Sequence, residues 1–320
     1  MRKLAVGIDL GGTNTRIGLV DIDGTIVASS STHTTNYNDV NSFVAYVSHE
    51  IRSLCDKIGN VELMGIGIGA PAANYYKGTI DYASDLIWKG VIPIVDIFRS
   101  YFSDIPVIVT NDAKGAAMGE MIYGGAKGLS DFMVITLGTG VGSGIVSGGK
   151  IIYGQDSFAG ELGHAIAVQG GRECGCGRRG CLDVYASASG VRRTAFELLA
   201  EYRGDSELRS YSYNDMTSEI ISNAAHNGDR IAKEVYKRTG KILGIALANA
   251  ATVTFPQMIF LFGGLTRAGK LIMEPTRKSF EENFGIIAVG TVSEYISRRS
   301  CLENNKNCND YSKSRNGLRG

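Results

Sequence analysis

One pattern occurs twice in this chain. Residues 6–17 read Val-Gly-Ile-Asp-Leu-Gly-Gly-Thr-Asn-Thr-Arg-Ile, and residues 134–145 read Val-Ile-Thr-Leu-Gly-Thr-Gly-Val-Gly-Ser-Gly-Ile. Each is an apolar strand that runs into a glycine- and threonine-rich turn and leaves as a second strand. The offset, roughly 127 residues, reads as an internal duplication. Such a repeat calls for two units of like topology, and 320 residues suffice for two cores. Two such units facing each other would enclose a cleft.

The segments around the first copy alternate as α/β. Strands are expected at 3–9, 15–20 and 25–30, with Asp23-Gly24 as a hairpin turn. Val40, Phe43, Val44, Val47, Ile51, Leu54 and Ile58 recur at helical spacing, and Gly59 stops that helix. A strand at 63–69, a helix at 94–102, a strand at 107–111 and a helix of small residues at 113–123 follow. After the second copy, helices are expected at 184–202 and 231–254. A buried strand at 258–262, the turn Gly263-Gly264 and another helix come next. The expected division is a small N-terminal α/β domain, 1–113, and a larger α/β domain, 114–297. Residues 298–320 are poor in apolar side chains and read as a disordered tail.

The two glycine loops carry chemistry. In Asp9-Leu-Gly-Gly-Thr13, glycines after a strand let backbone N–H groups converge on an anion, and Asp9 stands where a carboxylate can hold Mg²⁺. Leu137-Gly-Thr-Gly-Val141 repeats the device, and Gly263-Gly264 is a third glycine turn after a strand. Neither loop has the GxxxxGK[ST] or GxGxxG spacing. Asn111-Asp112 sits between a strand and a helix. Asp112 there is either the helix N-cap or a base that takes a proton from an attacking hydroxyl, and the roles compete for its oxygens. His164, Cys174, Cys176 and Cys181 supply one imidazole and three thiolates, a set that suits a closed structural zinc site. Their spacing is not that of a finger. Three cysteines within eight residues fit a metal site in a cytoplasmic protein better than a disulfide framework. The net charge of +1 gives no footprint for nucleic acid or an anionic membrane. No stretch approaches the roughly 18 apolar residues of a spanning helix.

Taken together, 9–16, 111–113, 137–144, 159–164 and 174–182 resemble the ROK family of sugar kinases and repressors, its bacterial glucokinases above all. The resemblance implies two ribonuclease H-like (actin-like ATPase) domains flanking a cleft, ATP bound in it, and phosphate transfer to a sugar hydroxyl. It implies a homo-oligomer, dimer or tetramer. It places the base on Asp112, with Asn111 beside it holding the sugar. Glu161 and His164 fall on residues that bind ring hydroxyls, His164 doubling as a zinc ligand. Gly11, Gly12, Thr13, Thr139 and Gly140 fall on phosphate contacts, and Gly263 and Gly264 on the adenosine side. Asp183 stands where the family usually carries Glu, against the sugar near C1 and C2. Lys114-Gly115 replaces the usual Asn-Ala; Lys114, in the first turn of that helix, opposes its dipole, with a place near transferred phosphate as the alternative. Asp85 replaces the usual Asn close to the sugar. After about residue 284 neither the family's closing strand nor its closing helix is legible.

The reaction expected is MgATP-dependent phosphorylation of a hexose, glucose to glucose 6-phosphate. The alternatives are an N-acetylmannosamine or N-acetylglucosamine kinase, or an impaired sugar-binding homologue. A repressor would need a helix-turn-helix before the Asp9 motif, where the first strand is already expected.

Overall fold

The computed structural model describes residues 1–285 and the short strand Ile296–Ser297. The expected tail, 298–320, and the family's closing helix lie outside the described residues. Two compact units are present among the described residues, one made of 1–123 with 152–159, the other of 124–151 with the described chain from 160 onward.

In the first unit, β1 (Arg2–Leu10), β2 (Asn14–Val20) and β3 (Ile26–His33) form an antiparallel meander. α1 (Val40–Ile58) follows, capped by Asp39, whose carboxylate accepts from the Asn41 and Ser42 N–H groups at 2.9 and 3.0 Å. It stops at Gly59, at φ 71. Its Phe43, Val44, Val47 and Ile51 are fully buried with Val6 and Ile8 of β1. Each such side chain contributes about 1.5–3 kcal/mol on burial. β4 (Val61–Ala70) and β8 (Val107–Asn111) then extend the sheet in parallel, giving the order β3-β2-β1-β4-β8. Between them lies a small antiparallel sheet of β5 (Ala73–Asn74), β6 (Thr79–Asp81) and β7 (Val91–Ile92), followed by α2 (Ile94–Arg99). α3 (Asp112–Ile122) packs back on β4 and β8. That packing is why the first unit runs past the boundary expected at 113.

The second unit repeats the topology. β9 (Phe132–Leu137), β10 (Val141–Ser147) and β11 (Lys150–Ile151) form the meander. β12 (Met258–Phe262) and β13 (Ile296–Ser297) add in parallel, in the order β11-β10-β9-β12-β13. The two sheets match strand for strand, as the duplication requires, and each has the ribonuclease H-like order. β13 corrects the expectation that no strand follows 284. The helix expected at 184–202 is two, α4 (Asp183–Ala186) and α5 (Ala188–Glu201), because Ser187 leaves helical geometry and caps the second through the Gly190 N–H at 3.1 Å. α6 (Ser218–His226) precedes the long α7 (Arg230–Thr254). α7 packs on α8 (Lys270–Phe284) at Gly240 and Gly244, where a Cβ would come within 2.7 Å of Pro275 and 2.5 Å of the Thr276 carbonyl. Among the described residues no helix is long and apolar enough to cross a membrane.

Candidate active site

The candidate residues divide between the units. In the first, parallel strands β1, β4 and β8 end together, so Asp9, Gly69 and Thr110 lie in register across three strands. Asn111-Asp112 follows at that end, where open α/β sheets bind ligands. Gly69 lies against the start of α3, where a Cβ would make ordinary contact with the Asp112 Cα at 3.6 Å. The Asp9 carboxyl is held above the usual range, first by desolvation and then by the Asp112 charge, against Arg16.

Asn111, not Asp112, is the N-cap of α3. Its Oδ1 accepts from the Ala113 and Lys114 N–H groups at 3.0 and 3.2 Å. Asp112 is the first helical residue, exposed, with Oδ1 2.8 Å from the Ala113 nitrogen. The competition between cap and base is thereby relieved, and that one contact engages only one of its two oxygens.

The first glycine loop is tightly built. Gly11 N–H donates to the Asn14 carbonyl at 3.0 Å. The buried Thr34 hydroxyl donates to the Gly11 carbonyl at 2.7 Å, and the Thr34 N–H to the Thr13 carbonyl at 2.8 Å. A Cβ on Gly12 would lie 2.2 Å from the Asp85 carbonyl oxygen, so the loop presses on the segment carrying Asp85. Thr13 is exposed.

Lys114 corrects its expectation. Its side chain is fully buried and its ammonium donates to the Ser157 carbonyl at 2.7 Å. It ties 152–159 into the first unit, with help from the Tyr75 N–H on the Ser157 hydroxyl (2.9 Å) and the Tyr153–Thr110 hydroxyl pair (3.0 Å).

In the second unit three motifs meet at Val141. The loop Gly138–Gly140 joins β9 to β10, with Thr139 and Gly140 exposed. The Val141 N–H donates to Asp183 Oδ1 at 2.7 Å. A Cβ on Gly163 would lie 2.1 Å from the Val141 carbonyl oxygen, which presses the Glu161–His164 turn onto the same residue. Ser143 fixes that turn: its hydroxyl donates to the Gly160 carbonyl and accepts from the Leu162 N–H at 2.9 Å. Gly263, at φ 100, lies against the end of β9, where a Cβ would meet the Leu137 carbonyl oxygen at 2.5 Å. Gly264 opens the short helical turn that follows. Asp183 therefore faces the glycine loop.

His164, Cys174, Cys176 and Cys181 come together, their ligand atoms all within 4.8 Å of one another. Cys176 Sγ lies 3.6 Å from Cys181 Sγ, and Cys174 Sγ lies 3.7 Å from His164 Nδ1. A tetrahedron with metal–sulfur bonds of about 2.3 Å has edges near 3.8 Å, so four donors at these spacings fit one ion. Desolvation opposes ionisation of Cys176, yet hydrogen bonds from the Arg178 backbone and side chain and from the other thiols bring it down to about 6. Cys181 is pushed up to about 12, by burial first and by its thiol neighbours next. The loop closes tightly through the Gly177 N–H to Cys174 carbonyl bond of 3.0 Å.

Sequence reasoning missed Arg172. It is 8% exposed and grips Glu197 through two nitrogens, with further bonds to the Val184 carbonyl at 2.7 Å and Thr194 Oγ1 at 2.9 Å. It locks the thiol loop to α4 and α5. A buried arginine among glycines carries no sequence signal of its own, and its partners lie 12 to 25 positions away.

This chain belongs to the ROK family, whose model matches residues 5–294. A glucokinase of Halalkalibacterium halodurans is 35% identical over 285 residues, covering 86% of this chain and 84% of that protein. A glucokinase of Thermotoga maritima is 30% identical, covering 89% and 90%. Among solved structures, the ROK family glucokinase of Streptomyces griseus, in complex with glucose and AMPPNP, superposes with a TM-score of 0.73 at 30% identity, over 88% of this chain and 89% of that one.

Proposed function

We propose that this chain is an ATP-dependent hexose kinase with the glucose 6-hydroxyl as its preferred acceptor. One observation carries the reading: Asn111 takes the cap of α3, which leaves Asp112 exposed beside Asp9 at the ligand end of the sheet. The glucokinase relatives, and the Streptomyces griseus enzyme holding glucose and AMPPNP, support it. Asp112 takes the proton of the attacking hydroxyl. Asn111, Glu161 and His164 orient the sugar, and backbone N–H groups of Gly12, Thr139 and Gly140 with the Thr13 hydroxyl donate to phosphate oxygens, the Gly11 N–H being held inside its loop by the Asn14 carbonyl. Gly263 and Gly264 take the adenosine side.

Mg²⁺ would neutralise charge on the transferring phosphate. Asp9 suits it, because a carboxyl raised by desolvation and by a second carboxylate gains from a cation beside it. Zinc fits the His164, Cys174, Cys176 and Cys181 set and supplies a rigid tether. With Nδ1 of His164 turned to Cys174, a metal on that nitrogen leaves the ring proton on Nε2, where it can donate to a hydroxyl oxygen.

The test is ADP release by purified protein with MgATP against glucose, mannose, fructose, N-acetylglucosamine and N-acetylmannosamine. Glucose is expected to give the highest kcat/KM. A preference for an N-acetylated sugar would reassign the substrate, and no turnover on any sugar would remove the kinase reading.

A further inference from the structure

We propose that Asp183 is a positioning residue for the second glycine loop, holding it in the shape that receives nucleotide phosphate, and is not a ligand of the sugar. The proposal rests on the kinase reading only for what the loop binds. Asp183 Oδ1 accepts from the Val141 N–H at 2.7 Å, the length of a charge-assisted bond. Val141 pairs with Leu137 across the turn, so whatever holds its N–H sets how the loop closes.

Asp183 is itself firmly placed. Leu182 N–H donates to the Ala165 carbonyl at 2.9 Å, and the Asp183 carbonyl accepts from Ser187 N–H at 3.2 Å. A second tie runs beside it, from the Ala188 N–H to the Gly138 carbonyl at 2.9 Å. The loop is thus gripped at both ends by the start of α4 and the start of α5.

The fit between the carboxylate and the loop is close. A Cβ on Gly140 would sit 3.1 Å from Asp183 Oδ1, so the carboxylate lies flat against a bare backbone. A glutamate carries its carboxylate one bond, roughly 1.5 Å, further from the main chain, so it would have to fold back to meet the Val141 N–H. The shorter acid at 183 reaches the loop directly.

The experiment uses the full zinc-bearing chain and the variants Asp183→Ala and Asp183→Asn. Hydrogen exchange is read on the peptide spanning 138–146 without ligand. Affinity for a fluorescent ATP analogue is read by titration, and KM values for ATP and sugar by ADP release. Melting temperature and zinc content establish that each variant is folded. In Asp183→Ala the 138–146 amides should exchange faster and nucleotide affinity and ATP KM should worsen about tenfold, with sugar KM within about twofold. Asp183→Asn keeps an acceptor oxygen and should recover most of the loss. Unchanged exchange in Asp183→Ala, or a defect confined to sugar KM, overturns the proposal. If the unaltered chain phosphorylates no sugar, the kinase reading fails, and exchange with nucleotide titration still decides the role of Asp183.

Discussion

Replacing Asp112 with alanine should lower kcat about 10²–10⁴-fold, the range a positioned general base supplies, while ATP binding stays within about threefold. The reasoning is local. Asp112 is the first residue of α3 and its side chain is exposed, so its loss opens no cavity. The cap belongs to Asn111, which keeps its two N–H contacts in the variant. What disappears is a favourable charge at a helix N-terminus, worth about 0.3–1 kcal/mol, too little to unfold the unit. Asp112→Asn should be nearly as slow, because the amide keeps the shape and loses the basic oxygen. Steady-state ADP release and calorimetric titration with an ATP analogue separate the two effects. A weakened nucleotide site with normal turnover at saturation would place Asp112 among the phosphate contacts instead.

The second large effect is removal of the metal. The four donors are spaced for a single ion, and three of them lie in a loop of eight residues that has few apolar side chains to hold it otherwise. Purified protein should carry about one zinc per chain. Stripping it with a strong chelator should lower the melting temperature by several degrees and abolish turnover, because the Glu161–His164 turn shares His164 with the site. Zinc should restore both. Cys181→Ser should mimic the stripped state.

Acid should strip the metal too, and the sign follows from the thiols. In the metal-free site Cys176 is brought down to about 6 and Cys181 is pushed up to about 12, so thiol protons must leave for the metal to bind. Protons therefore compete with the metal at every pH below that of Cys181, so affinity should fall as pH falls, and more steeply below about 6, where the free Cys176 is protonated too. Zinc release followed with a colorimetric chelator across pH 5–8 reads this. Metal analysis that finds no zinc in active protein would leave the cysteines a purely packing role.

Much of this was legible in the chain because the signals are local. The paired glycine loops are contiguous residues, and the strand order repeats because the sequence does. Asn111-Asp112 announced a strand-to-helix corner, but which residue capped it was decided by backbone angles that the dipeptide does not encode. The sheet β5-β6-β7 was missed because strands of two or three residues are too short to show alternation. α6 follows a polar stretch and was passed over. The break at Ser187 depends on a hydroxyl caught by the Gly190 N–H. Lys114 was misread for a different reason: a lysine in a first helical turn is ordinarily solvated, and this one is buried by Ser157 and Tyr153, both some forty positions on. Asp183 and Val141 are 42 apart, so their bond has no trace in sequence spacing.

The most direct test of the kinase account is phosphorus NMR of the protein with MgATP and glucose, resolving the product by position. The account predicts ADP and glucose 6-phosphate growing together in equal amounts, and neither growing with Asp112→Ala. Phosphate on another hydroxyl, or ADP accompanied only by inorganic phosphate, would contradict it.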